Sequence, residues 1–247
     1  MTIDHITTED STALNPEQQQ ELKSSPGQFE WSMFWCRPWI RLHGSWASVL
    51  DTSLIEDSIA EAMHYDEILE TLKIDFAPEP EIVNPLSLSL ATIAPDIESR
   101  VFSFVSAILT DGHVAGDLNE DERIWCFRFA AGLNLHQYGD THRDTVISIL
   151  QDETQHPVAV LSALLIRSWA VNDPAFWTRY RVRFDKDIRL PESNLLISPA
   201  KLNYVMKTAL FMAEQNQPVA KQIPELTDEQ KLQMKQDTEK AQAALVS

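Results

Sequence analysis

The chain has only six glycines in 247 residues, and prolines repeatedly stand at the head of apolar runs with helical spacing. Glycine supplies the left-handed turns of hairpins and the tight phosphate loops of nucleotide-binding α/β folds. A chain this poor in it is expected to be built of helices. Proline lacks an N–H, and the first helical turn is where that donor would be unpaired anyway. Pro95 and Asp96 open "DIESRVFSFVSAILT", whose apolar residues surround most of the cylinder and predict a central helix. Pro157 opens a strongly apolar helix to about Val171, Asn172–Pro174 restart the chain, and Pro199 opens a helix over 200–214.

The remaining elements follow the same logic. Pro38 predicts a helix over 39–50. After Asp51, Thr52 and Ser53, the residues Leu54, Ile55, Ile59, Ala62 and Met63 recur at helical spacing and are expected to face the core. Pro78, Pro80 and Pro85 make 77–85 a loop and a candidate subdomain break. Asp117, Asn119 and Asp121 start a helix through Leu133, and "TVISILQ" at 145–151 reads as a short helix or strand. The fold class is therefore all-α. The exception is "RYRVRF" at 179–184, whose alternation predicts a short strand or hairpin near 177–190.

Three segments follow from patterning. Residues 1–28 are polar, without periodicity, and are expected to form a disordered tail. Residues 29–216 form the helical domain. In 217–247 a capping-box pattern, Thr227 to Gln230, starts a helix that is polar nearly all round and so loosely attached or partner-dependent.

Composition excludes several function classes. A net charge of −17 opposes nucleic-acid binding and an anionic membrane surface. No apolar run is long enough to span a bilayer, so no direct membrane insertion is expected. The polar N-terminus lacks a signal-peptide core. Two cysteines imply no disulfide framework, and a cytoplasmic, reduced protein is the simplest reading.

Two Glu-x-x-His pairs, Glu61 with His64 and Glu153 with His156, raise a ferritin-like di-iron site as an alternative. Position argues against it. His64 falls opposite Ile55, Glu61 lies off the apolar stripe, and Pro157 disfavours helical geometry at His156. His136 and His142 flank Gly139 and Asp140 in what reads as a surface loop. The sequence has no Gly-rich phosphate loop, no G-x-S-x-G elbow and no His-Glu-x-x-His. No catalytic residue, cofactor or metal is expected, and Cys36 and Cys126, set among aromatics, read as buried structural thiols.

Four of the seven tryptophans, Trp31, Trp35, Trp39 and Trp46, cluster near the start of the domain, where core packing is the expected role. Trp39 is also a candidate partner contact, since aromatics are enriched at binding hot spots. The second candidate is the row Arg179, Arg181 and Arg183. If extended, it presents a basic edge on an acidic molecule, suited to an acidic partner; if helical, the edge dissolves. A third feature is the run from Asp51 to Glu81, with ten acidic residues and one lysine.

The stretch "FWCRPWIRLHGSW" combines an aromatic-rich, cysteine-containing lead with Pro38, Leu42 and His43. This order resembles the YscK/OrgA/PscK (SctK) family of type III secretion sorting-platform proteins. A further likeness lies in "LSALLIRSWAVNDPAFWTRYRVRFDKDIRLP", where an apolar helix with Trp169 is followed by Trp177, basic residues and Leu190-Pro191. Arg37, between Cys36 and Pro38, departs from the cysteine–proline adjacency found in part of that family. The resemblance implies a non-enzymatic cytosolic adaptor linking the inner-membrane ring's cytoplasmic domain to the pod protein, close to the ATPase stator. It implies a structural role for Pro38, Leu42 and His43, fixing the start of the first helix. A helical secretion chaperone or assembly factor is the other alternative.

Overall fold

A computed structural model of the protein describes residues 26–133, 135 and 140–215. Among them the chain forms eleven α-helices joined by loops and short 3-10 turns, with no strand. The helices are α1 (Pro26–Cys36), α2 (Ser53–Glu56), α3 (Ser58–Met63), α4 (Tyr65–Thr71), α5 (Pro85–Thr92), α6 (Pro95–Leu109), α7 (Glu120–Leu133), α8 (Asp140–Gln151), α9 (Pro157–Trp169), α10 (Pro174–Tyr180) and α11 (Pro199–Gln215). Prolines head six of the eleven. Side chains finish several starts: Asn84 accepts from the Leu86 N–H at 2.9 Å, and Asp173 from the Phe176 N–H at 3.0 Å. Asn119 and Glu122 cap each other reciprocally at the head of α7.

The centre is the pairing of α6 with α9. Val101, Phe104, Val105 and Ile108 on the one meet Leu161, Leu164 and Leu165 on the other in one buried cluster. The loop after α6 folds back on that helix. Gly116 there has φ +52°, and a Cβ on it would lie 2.3 Å from the Ser103 hydroxyl, so glycine is required twice over. A smaller cluster gathers Trp39, Trp46, Leu50, Ile68, Leu69, Leu72, Ile74 and Val182. Its helix α4 closes with Lys73 at φ +52°, the Ile74 N–H donating to Leu69 O and the Lys73 N–H to Glu70 O, which is a Schellman ending.

Several expectations are corrected. The helix over 39–50 is instead two 3-10 turns, Pro38–Arg41 and Gly44–Ser48. Leu42 between them is extended, and the His43 N–H leaves the local ladder for Val182 O at 2.9 Å. "RYRVRF" is not a strand: it is the end of α10 followed by a 3-10 turn, Arg181–Arg183. Helix α3 is turned over from its expected face, with Ile59, Ala62 and Met63 exposed and Glu61 buried. Cys36 is exposed, while Cys126 is buried. The first helix starts at Pro26. The remainder of the expected tail, the His136 turn, the side chain of His142 and the segment 217–247 lie outside the described residues.

Candidate functional site

Helix α1 lays Trp31, Phe34 and Trp35 on the core, with Trp31 and Trp35 stacked at 5.4 Å between ring centroids. Trp39, the candidate partner contact, is buried, and its indole N–H donates to Glu61 Oε1 at 2.8 Å. Arg37 donates to both oxygens of the same carboxylate, a bidentate fork. Trp39 is thus an internal anchor and offers no surface to a partner.

The arginine row is also internal. Arg179 is 1% exposed and donates to Trp35 O in the last turn of α1 at 2.8 Å, with its guanidinium 4.3 Å from the Trp35 ring centre. Arg181 donates to Leu72 O, the C-cap of α4, at 2.7 Å. Arg183 donates to Leu90 O and Ala91 O in the last turn of α5, at 3.0 and 2.6 Å. Helix C-termini leave carbonyls without partners and carry partial negative charge. Each arginine of the row therefore caps a different helix. The expected basic docking edge is absent because its charges are spent on these carbonyls. Burial lowers the pKa of Arg179 and of Arg181 from the ordinary arginine value.

Glu98 collects the next layer. Its Oε1 accepts from Arg183 Nη1 and from the Tyr180 hydroxyl, each at 2.7 Å, and its Oε2 accepts from Arg41 Nη2 at 2.7 Å. Arg41 also donates to Ile93 O. Burial, then neighbouring Arg183, lowers the Arg41 pKa. Burial, then Glu98, pushes the Tyr180 phenol well up.

Above this network lies an open groove of about 370 Å³. One wall is Phe29, Met33 and Phe34 of α1, the next is Pro38, Ile40 and Arg41, and the opposite wall is Ala91–Pro95. Phe29 is 70% exposed and Ile40 54% exposed on its rim. The arginines at the groove are bonded to carboxylates and carbonyls, so what it presents is mainly apolar surface. It is suited to apolar side chains of a partner segment.

Of the three motif residues, Pro38 lines the groove and His43 lines a second cleft. Pro38 is buried at the head of its turn, and Leu42 packs on the smaller cluster. His43 Nδ1 accepts from the Ser45 N–H at 3.2 Å, which caps the next turn. The Ser45 hydroxyl in turn accepts from the Lys186 N–H, and the Trp46 indole donates to Phe184 O. Residues 43–46 are thereby stitched to 182–186. They fix 3-10 turns and not the start of an α-helix.

A second, wider cleft of about 880 Å³ lies between His43, Phe102, His156 and Arg189. Gln155 bridges its rim, its amide N–H donating to Arg189 O at 3.4 Å and its oxygen accepting from the Arg189 N–H at 2.6 Å. The two Glu-x-x-His pairs do not converge. Glu61 is held by Arg37 and Trp39, His64 lies beside Glu67 at 2.9 Å, and Glu153 and His156 are exposed on either side of a turn. Among the described residues no group of three or more His, Cys, Asp or Glu side chains is placed to hold a metal ion. No helix among them is long and apolar enough to cross a membrane.

Sequence reasoning missed the groove, since its walls come from stretches about fifty residues apart, 29–41 and 91–95. The only available signal was that neither Phe29 nor Ile40 fits the buried face of its own segment. Comparison of the chain with protein-family models, with curated proteins and with solved structures returned no match in any of the three.

Proposed function

We propose that the protein is a non-enzymatic adaptor of the type III secretion sorting platform. In this reading it joins the cytoplasmic domain of the inner-membrane ring to the pod protein, with the ATPase stator as a further neighbour. It would work in the cytoplasm, held peripherally at the inner membrane through those proteins. The observation that carries the reading is a coincidence of place. The segment 34–46, on which the resemblance partly rests, supplies Phe34, Arg37, Pro38, Ile40 and Arg41 to one side of the open apolar groove. Its aromatic and arginine side chains are committed to architecture, and the groove with Phe29 and Ile40 is an apolar surface open to a partner.

Co-purification of the tagged full chain from secretion-competent cells tests this. The expected result is recovery of the ring and pod proteins, reduced in Phe29→Ser/Ile40→Ser. Recovery of neither protein with the parent chain contradicts the proposal.

A further inference from the structure

Helix α3 faces the wrong way for its sequence. Its apolar residues Ile59 and Met63 lie one turn apart and are 71% and 77% exposed, while Glu61 between them is buried. A helix of this composition would ordinarily bury the stripe and expose the carboxylate. Here the Arg37 fork and the Trp39 indole hold Glu61 inward, and Asp57 caps the helix by accepting from the Ile59 and Ala60 N–H groups. The inversion is thus built by specific bonds, and it leaves two large apolar side chains in water. Departures of this kind from local consistency tend to mark functional surfaces.

The surroundings say what would cover it. Glu56 at the end of α2, the N-cap Asp57, and Asp66, Glu67 and Glu70 on α4 are all exposed, and Lys73 is the one lysine or arginine between Asp51 and Glu81. An exposed apolar pair flanked in sequence by exposed carboxylates is complementary to a segment with an apolar face and lysines or arginines beside it. An anionic bilayer is repelled by this acidic stretch, and so is a second copy of a chain with net charge −17.

We propose that the outward face of α3 docks a basic amphipathic helix of a protein partner, with Ile59 and Met63 as its apolar anchors. This surface is separate from the groove and does not depend on the sorting-platform reading.

The test uses the full chain and a synthetic amphipathic helix with leucines on one face and lysines on the other. A matched peptide carries glutamates in place of the lysines. Titration calorimetry should show binding of the lysine peptide and at least roughly tenfold weaker binding of the glutamate peptide. Ile59→Ser/Met63→Ser keeps every charge and should weaken the lysine peptide by roughly tenfold or more. Its melting curve should match the parent's, because both side chains are exposed. Asp66→Lys/Glu70→Lys should weaken the same peptide without touching the apolar pair, and Phe29→Ser/Ile40→Ser should leave it unchanged. Absence of binding, or equal binding by the parent and Ile59→Ser/Met63→Ser, overturns the proposal, the latter showing attraction by charge alone. Self-association of the parent that disappears in that variant also overturns it, since the occupant is then a second copy.

Discussion

Arg37 grips both carboxylate oxygens of Glu61, and this one pair decides which side of α3 meets the protein. The carboxylate is buried, and the Trp39 indole is its third donor. A buried acceptor with three donors is stable only while all are present, because removing one partner leaves the others desolvated and unpaired. Glu61→Ala is therefore expected to cost about 1–3 kcal/mol, with part of the pair's strength discounted because Arg37 is partly exposed. Urea unfolding of Glu61→Ala, Arg37→Ala and the double variant measures the coupling. Additive losses would show that the fork does not orient α3.

Trp39→Ala removes a large buried side chain together with a hydrogen bond to Glu61. A loss on the order of 3–5 kcal/mol is expected. Chemical denaturation checks it, and a parent-like midpoint would mean that Trp39 is not a core anchor.

Lys73 occupies a left-handed backbone position, which costs a non-glycine residue about 1 kcal/mol or more. Its side chain is exposed, so Lys73→Gly loses no packing. The variant is expected to be more stable by about 0.5–1 kcal/mol, read from the melting temperature. A lower melting temperature contradicts the assignment of this Schellman ending.

The Asp152 carboxyl is held down at about 2 by the Thr154 hydroxyl, then the Gln155 amide and the Thr154 N–H. Its folded value lies below its unfolded value of 3.8. Its stabilising contribution is therefore complete above the unfolded value and is lost as pH falls through the folded one. Carbon-detected NMR titration should place the Asp152 midpoint near 2 and Thr154→Ala should raise it. An unmoved midpoint in that variant would reject the hydroxyl as the cause.

The fold was legible where its causes are local. The prolines that head α6, α9, α10 and α11 act on their own first turns, and the nearly all-apolar α6 could only be central, whereas Pro85, expected in a loop, heads α5. What escaped was set by partners far along the chain. The face of α3 is chosen by Arg37, 24 residues away. The row 179–183 imitates a strand because helix ends at residues 35, 72 and 90–91 each require a donor there. Alternation of arginine with apolar residues in sequence reported those donors, not a pleat. Replacing the row with glutamate would leave three helix ends uncapped and bring carboxylates against carbonyls.

The aromatic and arginine segment is framework, and the proposed association rests on the apolar groove beside it. The most direct measurement compares binding and stability in one variant, Phe29→Ser/Ile40→Ser, using purified pod protein and the purified ring cytoplasmic domain. The expected result is a melting curve like the parent's, because both residues lie on the exposed rim, with affinity for at least one of the two proteins reduced roughly tenfold or more. Undiminished affinity for both, in a variant that folds like the parent, would contradict it.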